Sequence, residues 1–157
     1  MLTLIQDVLT DSERKQITEF FYSNPDPGWI DSTIDNINCN YFVLDKILKI
    51  ASEHFDLSKM VGCECWAHFN TGPPWHIDQD DELFHRTGEI KTPICSIVYY
   101  PIINNLIGGK FITKTESITP IANSLLIFAP RIEHAIEQFN GNRASIAINP
   151  WDYKIRL

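Results

Sequence analysis

From residue 61 onward the chain runs in short β-forming segments broken by Gly, Pro or Asn, and that punctuation leaves few architectures open. β-Branched and aromatic residues fit a pleated surface, while the turn residues stop each run before a helix could form. Strands are predicted over 62–69, 75–78, 93–100, 109–113, 117–120, 124–128, 133–138 and 143–150. Strands this closely spaced, without helices between them, build a sandwich or barrel, and this number suits a jelly roll.

The first third of the chain reads differently. Thr10 and Glu13 have the spacing of a capping box, and Ile17, Phe20 and Phe21 follow at helical intervals until Asn24-Pro25-Asp26-Pro27-Gly28. A second helix is predicted over 42–55, with Val43, Ile47, Leu48 and Ala51 on one side and His54 near its end. The expected layout is one domain over 1–157, a helical brace over about 1–58 supporting a β core over about 61–151.

Charge narrows the function classes. A net charge of −7 argues against a broad nucleic-acid surface, which needs clustered Lys and Arg. The first residues lack the basic and apolar regions of a signal peptide, and no window approaches a membrane span, so a cytoplasmic protein is expected. Cys39, Cys63, Cys65 and Cys95 lack metal-finger spacing and are expected to be buried thiols. Residues 79–92 are polar and longer than a hairpin requires, which suggests a lid-like loop, with Asp80-Asp81-Glu82 solvated and His85 exposed.

Within this framework, Trp75-His76-Ile77-Asp78 carries the strongest chemical signal. Successive side chains of a strand alternate faces, so His76 and Asp78 aim at one point while Ile77 packs behind. An imidazole and a carboxylate suit a borderline or hard divalent ion; a second His would complete a two-His, one-carboxylate facial triad. Of the remaining histidines, His134 opens a strand late enough for the sheet to fold back over His76. His68, before the Thr71-Gly72-Pro73-Pro74 turn, is expected beside the site rather than in it.

Asn140-Gly141 is a strong hairpin signal, and a two-residue turn there would set Gln138 opposite Arg143. His134, Ile136, Gln138, Arg143, Ser145 and Ala147 would then share a face. Arg143 would lie roughly 13 Å along the hairpin from His134, leaving room for a five-carbon diacid between guanidinium and metal. Guanidinium offers a carboxylate two parallel donors, and Ser145 adds a hydroxyl on the same face.

Taken together, the ordered motifs from Cys65 to Trp151 resemble those of the Fe(II)- and 2-oxoglutarate-dependent oxygenases, in particular the prolyl-hydroxylase-like branch. These motifs are Phe69 to Asp78 with its glycine-containing lead-in, Ser96-Ile97-Val98-Tyr99-Tyr100, Gly108-Gly109-Lys110-Phe111, Asn123 to Phe128, and His134 through Ser145. The resemblance implies a double-stranded β-helix of cupin type, with Fe(II) held by His76, Asp78 and His134 and 2-oxoglutarate anchored by Arg143. It also implies a tyrosine hydroxyl on the same carboxylate, from Tyr100 or else Tyr99. The implied activity hydroxylates an unactivated C–H bond of an amino acid or peptidyl substrate, using O2 and releasing succinate and CO2. Asp78 stands where related halogenases carry a small residue, which favours hydroxylation. Pro101 and Lys110 depart from the family pattern, so substrate contacts are not carried over from that region. Trp66, Trp75, His68 and the 79–92 segment are expected at the pocket rim. Two other readings of the residues remain: a cupin-type metalloenzyme that does not use 2-oxoglutarate, and a metal- or ligand-binding module without turnover.

Overall fold

The computed structural model describes residues 2–33 and 42–157, so the expectation for Cys39 lies outside the described residues. Strand β1 (Leu2–Gln6) leads into helix α1 (Asp11–Ser23), whose capping box forms as expected: Thr10 Oγ1 accepts from the Glu13 N–H and Glu13 accepts from the Thr10 N–H. Strand β2 (Gly28–Asp31) and helix α2 (Phe42–Ser52) follow. Helix α2 stops short of residue 55, and His54 lies exposed in the turn beyond it.

Two antiparallel sheets carry the rest. The larger has the order β1-β7-β4-β9-β3-β2, with β3 Gly62–Phe69, β4 Ser96–Gly108, β7 Ser124–Phe128 and β9 Phe139–Trp151. The smaller has the order β6-β5-β8, with β5 Phe111–Thr113, β6 Ser117–Ile118 and β8 His134–Ile136. Residues 75–78 do not form the expected strand; they contribute one isolated bridge between His76 and His134.

Side-chain alternation in the large sheet separates two cores. Cys63, Cys65, Ile97, Tyr99, Leu125, Ile127, Ile146 and Ile148 face Ile17, Phe21, Val43, Ile47 and Leu48 of the helices. Tyr100, Leu126 and Phe128 face the small sheet, where they meet Phe111 and Ile136. Strand β7 is therefore buried on both sides, which explains its unbroken apolar run Leu125-Leu126-Ile127-Phe128. Cys63, Cys65 and Cys95 are free, buried thiols, as expected from the sequence.

The structure corrects several expectations. Strands β1 and β2 were not anticipated; β1 completes an edge by pairing with β7, and β2 pairs with β3. Strand β4 continues through Pro101, because one register shift lies between Tyr99 and Ile102 and a second between Asn104 and Ile107. A bulge tolerates a residue that cannot donate to the ladder. The 79–92 segment contains helix α3 (Asp81–Thr87), capped by Asp80 Oδ1 on the Leu83 N–H and closed by Gly88 in a left-handed conformation. Asp80 is buried rather than solvated.

The largest correction concerns Asn140-Gly141, which is no hairpin turn. Strand β9 runs straight through it and pairs with β4, so Arg143 lies opposite Ile103 rather than Gln138. Gly141 takes a φ of 104° where the β4 bulge crosses, with Asn105 and its carbonyl filling the space a side chain would need. The turn-like dipeptide marks a close backbone approach. Alanine at Gly141 should therefore destabilise the protein more than alanine at Gly88, where φ is also positive but nothing lies within 4 Å of an added Cβ. Chemical denaturation is expected to show a loss of about 1–2 kcal/mol for Gly88→Ala, and a larger one for Gly141→Ala.

Candidate metal centre

The inner face of β9 supplies one wall of the site. Alternation sends Arg143, Ser145, Ala147 and Asn149 into a cavity between the sheets, while Ile146 and Ile148 anchor the helix-side core. Trp66 and His68 of β3 and Val98 of β4 complete that wall. Facing it are His76, Asp78, Phe111, His134 and Ile136. The cavity holds about 420 Å³ free of atoms, part of it open to solvent.

His76 and His134 are brought together by their backbones. Each N–H donates to the other's carbonyl, at 3.0 and 2.9 Å, which sets the two rings 4.3 Å apart between centroids. Asp78 returns to the same side, so that ligand atoms of His76, Asp78 and His134 all lie within 4.8 Å of one another. No other such cluster occurs among the described residues.

Each of the three is oriented from behind. His76 Nδ1 lies 2.8 Å from the Pro74 carbonyl and His134 Nδ1 lies 2.8 Å from the Ile132 carbonyl. A carbonyl only accepts, so Nδ1 carries the proton in both rings and Nε2 is left as the free ligand atom. Ser96 Oγ donates to Asp78 Oδ2 at 2.5 Å, leaving Oδ1, which sits 3.5 Å from His76 Nε2. The His134 ring stacks on Phe111 at 4.9 Å and meets the edge of Phe128 at 5.0 Å.

The electrostatics suit a cation. Burial holds His134 below the ordinary imidazole range, which keeps it neutral and able to ligate. The hydrogen bond to Asp78 holds His76 above that range. Burial pushes the Asp78 carboxyl up, but the His76 hydrogen bond, the nearby His134 imidazole and the Ser96 hydroxyl together hold it below its usual value. A divalent ion would displace the proton that His76 otherwise attracts.

Beyond the cluster, Arg143 is only 1% exposed. Its Nη1 donates to Ser145 Oγ at 3.0 Å and its Nε to the Gly109 carbonyl at 3.3 Å. Asn70, at a φ of 55°, clamps its backbone: the Arg143 N–H donates to Asn70 Oδ1 at 2.9 Å, and the Asn70 N–H donates to the Arg143 carbonyl at 2.8 Å. Arg143 Nη2 and the Tyr100 hydroxyl remain buried without hydrogen-bond partners, and the guanidinium carbon lies 5.3 Å from the centre of the Tyr100 ring. A buried donor left unmet costs about 1–3 kcal/mol, and more when charged. Burial pushes the Tyr100 phenol up to about 12, so at neutral pH it is a donor. Two donors side by side, both lacking an acceptor, fit one carboxylate. Tyr99 points the other way and donates to Asn123 Oδ1 at 3.0 Å.

The remaining sequence candidates are placed as follows. His68 lines the cavity but stays outside the cluster; its Nε2 accepts from Trp66 Nε1 at 3.1 Å, and burial keeps its pKa low. Trp75 is 44% exposed beneath Lys114 and does not line this cavity, and His85 is exposed on α3. Ser96, Asn70 and Asn149 were not anticipated. Ser96 and Asn149 lie at even spacings from Tyr100 and Arg143, so strand alternation already placed them on the cavity face.

Neither a protein-family model nor a curated protein matches the chain. Solved structures do match it. A Burkholderia pseudomallei oxidoreductase of the 2OG-Fe(II) oxygenase family superposes with a TM-score of 0.63 at 10% identity, over 98% of this chain and 86% of that one. A Pseudomonas putida prolyl-4-hydroxylase gives 0.63 at 13% identity, over 96% and 84%. A Trichoplax adhaerens prolyl hydroxylase, solved with a hypoxia inducible factor oxygen degradation domain peptide fragment, gives 0.57 at 15% identity, over 96% and 83%. The chain thus has the fold of 2OG-Fe(II) oxygenases and prolyl hydroxylases. No helix among the described residues is long and apolar enough to cross a membrane.

Removing the hydroxyl that orients Asp78 should loosen the candidate metal site without dismantling it. Ser96→Ala is expected to weaken Fe(II) or Mn(II) binding by about 10–100-fold, measured by metal titration of the purified protein.

Proposed function

We propose that the protein is a non-heme Fe(II)- and 2-oxoglutarate-dependent dioxygenase on a double-stranded β-helix. It would hydroxylate an unactivated C–H bond of an amino acid or peptidyl substrate, releasing succinate and CO2. The observation that carries this reading is the pair of partnerless donors, Arg143 Nη2 and the Tyr100 hydroxyl, sharing a site with the His76, Asp78 and His134 cluster. A metal site alone accounts for the cluster but not for a buried cation awaiting an acceptor. The fold shared with prolyl hydroxylases, one of them solved with a peptide fragment, supports the same reading and keeps peptides among the substrates.

In this reading His76, Asp78 and His134 hold Fe(II) through Nε2, Oδ1 and Nε2. The iron, when bound, supplies the activation of O2 that the side chains of a protein cannot. Arg143 receives the remote carboxylate of 2-oxoglutarate, and Tyr100 donates to the same group. Ser145 accepts from Nη1, which fixes the guanidinium plane while its own proton stays free to donate. Because Asn70 and Gly109 hold the backbone and Nε of Arg143, the arginine is preorganised rather than ordered on binding. Val98, Phe111 and Ile136 present apolar surface to the cavity and keep competing water away from the reacting centre.

Mixing the protein with Fe(II) and 2-oxoglutarate without oxygen should produce a weak visible charge-transfer band, and admitting oxygen should release succinate even without substrate. Intact protein that shows no band would overturn the proposal and leave a metal-binding module or a cupin-type enzyme that does not use 2-oxoglutarate. Arg143→Lys keeps the charge but loses the planar fork, so the 2-oxoglutarate concentration for half-maximal succinate release should rise by about 10–100-fold. Arg143→Ala should abolish that release.

A further inference from the structure

The cavity has opposite electrostatic character at its two ends. At one end are Arg143, Ser145 and Tyr100. At the other, Asn149 of β9 lies directly across from Glu64 of β3 in the strand register, and Ser96 of β4 is next in line beyond the Ile97–Ile148 pair. Cross-strand partners share a face, so Glu64 stands beside Asn149 on the cavity-facing side of the sheet, away from Arg143, with Asn149 itself lining the cavity. Asn149 is 1% exposed, lines the cavity, and its Oδ1 has no hydrogen-bond partner. Buried Asn123, by contrast, has its Oδ1 satisfied by the Leu9 N–H.

The side chains that act most on Glu64 are acidic. Burial and the carboxylates of Asp78, Asp81, Asp26 and Asp80 all act on it in one direction and push it up to about 7. Lys91 pairs with Glu89 and Lys154 with Asp31, while Arg143 lies six residues along β9 from Asn149. Trp66 follows on the same face of β3 and presents an aromatic ring to the cavity, a surface that favours cations.

From this juxtaposition we infer that the substrate enters with a protonated amine, received by Glu64 and Asn149 Oδ1 beside the Trp66 ring. The inference rests on the oxygenase reading for the fate of the bound molecule, but the cation site itself does not. A buried amide oxygen supplies a fixed acceptor, a carboxylate surrounded by carboxylates gains most from a cation, and the opposite end is reserved for an anion. The ammonium can be the free amino group of a small molecule or the side chain of a peptidyl lysine.

Two pairs of compounds separate these sources: prolinamide against N-acetylprolinamide, and Nα-acetyllysinamide against Nα,Nε-diacetyllysinamide. Binding is measured by calorimetry on the full chain, with Fe(II) and 2-oxoglutarate under anaerobic conditions and again without either. At least one charged member should bind about tenfold or more tightly than its acetylated partner. Glu64→Gln, which keeps the side-chain shape, should shrink that ratio at least about threefold while leaving the charge-transfer band in place. Asn149→Leu should shrink it likewise. A ratio below about tenfold for both pairs overturns the inference, as does a ratio that Glu64→Gln and Asn149→Leu leave unchanged. Ammonium preference without a band or succinate would uphold the cation site and remove the oxygenase reading; a band and succinate with no ammonium preference would do the reverse.

Discussion

The two backbone hydrogen bonds between His76 and His134 are the constraint on which the site depends. Among the described residues they form the only ladder contact that residues 75–78 make, yet they fix the separation of two candidate ligands from distant parts of the chain. The rest of the centre is built outward from that bridge. Asp78 follows His76 by two residues, the Pro74 and Ile132 carbonyls set both rings, and Ser96 reaches across from the large sheet to hold the carboxylate. Since Phe111 stacks on His134 and Phe128 meets it edge-on from the opposite sheet, packing the two sheets together and aligning that imidazole are the same event.

Strand β9 extends this coupling to the rest of the molecule. One face of it sinks Ile146 and Ile148 into the core beneath the helices, and the other presents Arg143, Ser145, Ala147 and Asn149 to the cavity. A central strand with neighbours on both sides moves little, so groups mounted on it are held without side-chain entropy being spent afresh at each binding event. The helices pack on the side of the sheet opposite the cavity and so back the wall on which the polar groups stand.

That wall is electrically polarised along its length. A guanidinium with a spare donor occupies one end and an unpartnered amide oxygen the other, with Glu64 beside that amide on the same sheet face and the His-Asp-His cluster above. In a low-dielectric cavity such groups discriminate ligands more strongly than they would in water, because each unmet donor or acceptor penalises the wrong partner.

Local periodicity was enough to read much of this. The alternation of Arg143 with Ser145 and Ala147 follows from strand geometry, and the Thr10–Glu13 capping box from helix-end chemistry, whereas His76 and Asp78 meet on one side although residues 75–78 form no strand. The runs at 62–69 and 124–128 became strands with those same bounds. What the sequence could not specify was pairing. Asn140-Gly141 carries the local chemistry of a hairpin, but β9 found β4 as its neighbour, and the glycine serves a backbone crossing instead. The placement of Tyr100 rather than Tyr99 beside Arg143, the edge strands β1 and β2, helix α3 and the meeting of Ser96 with Asp78 were likewise legible only in the tertiary structure. Side-chain direction along a strand is set by its own backbone, whereas the partner of that strand is set by burial summed over the whole molecule.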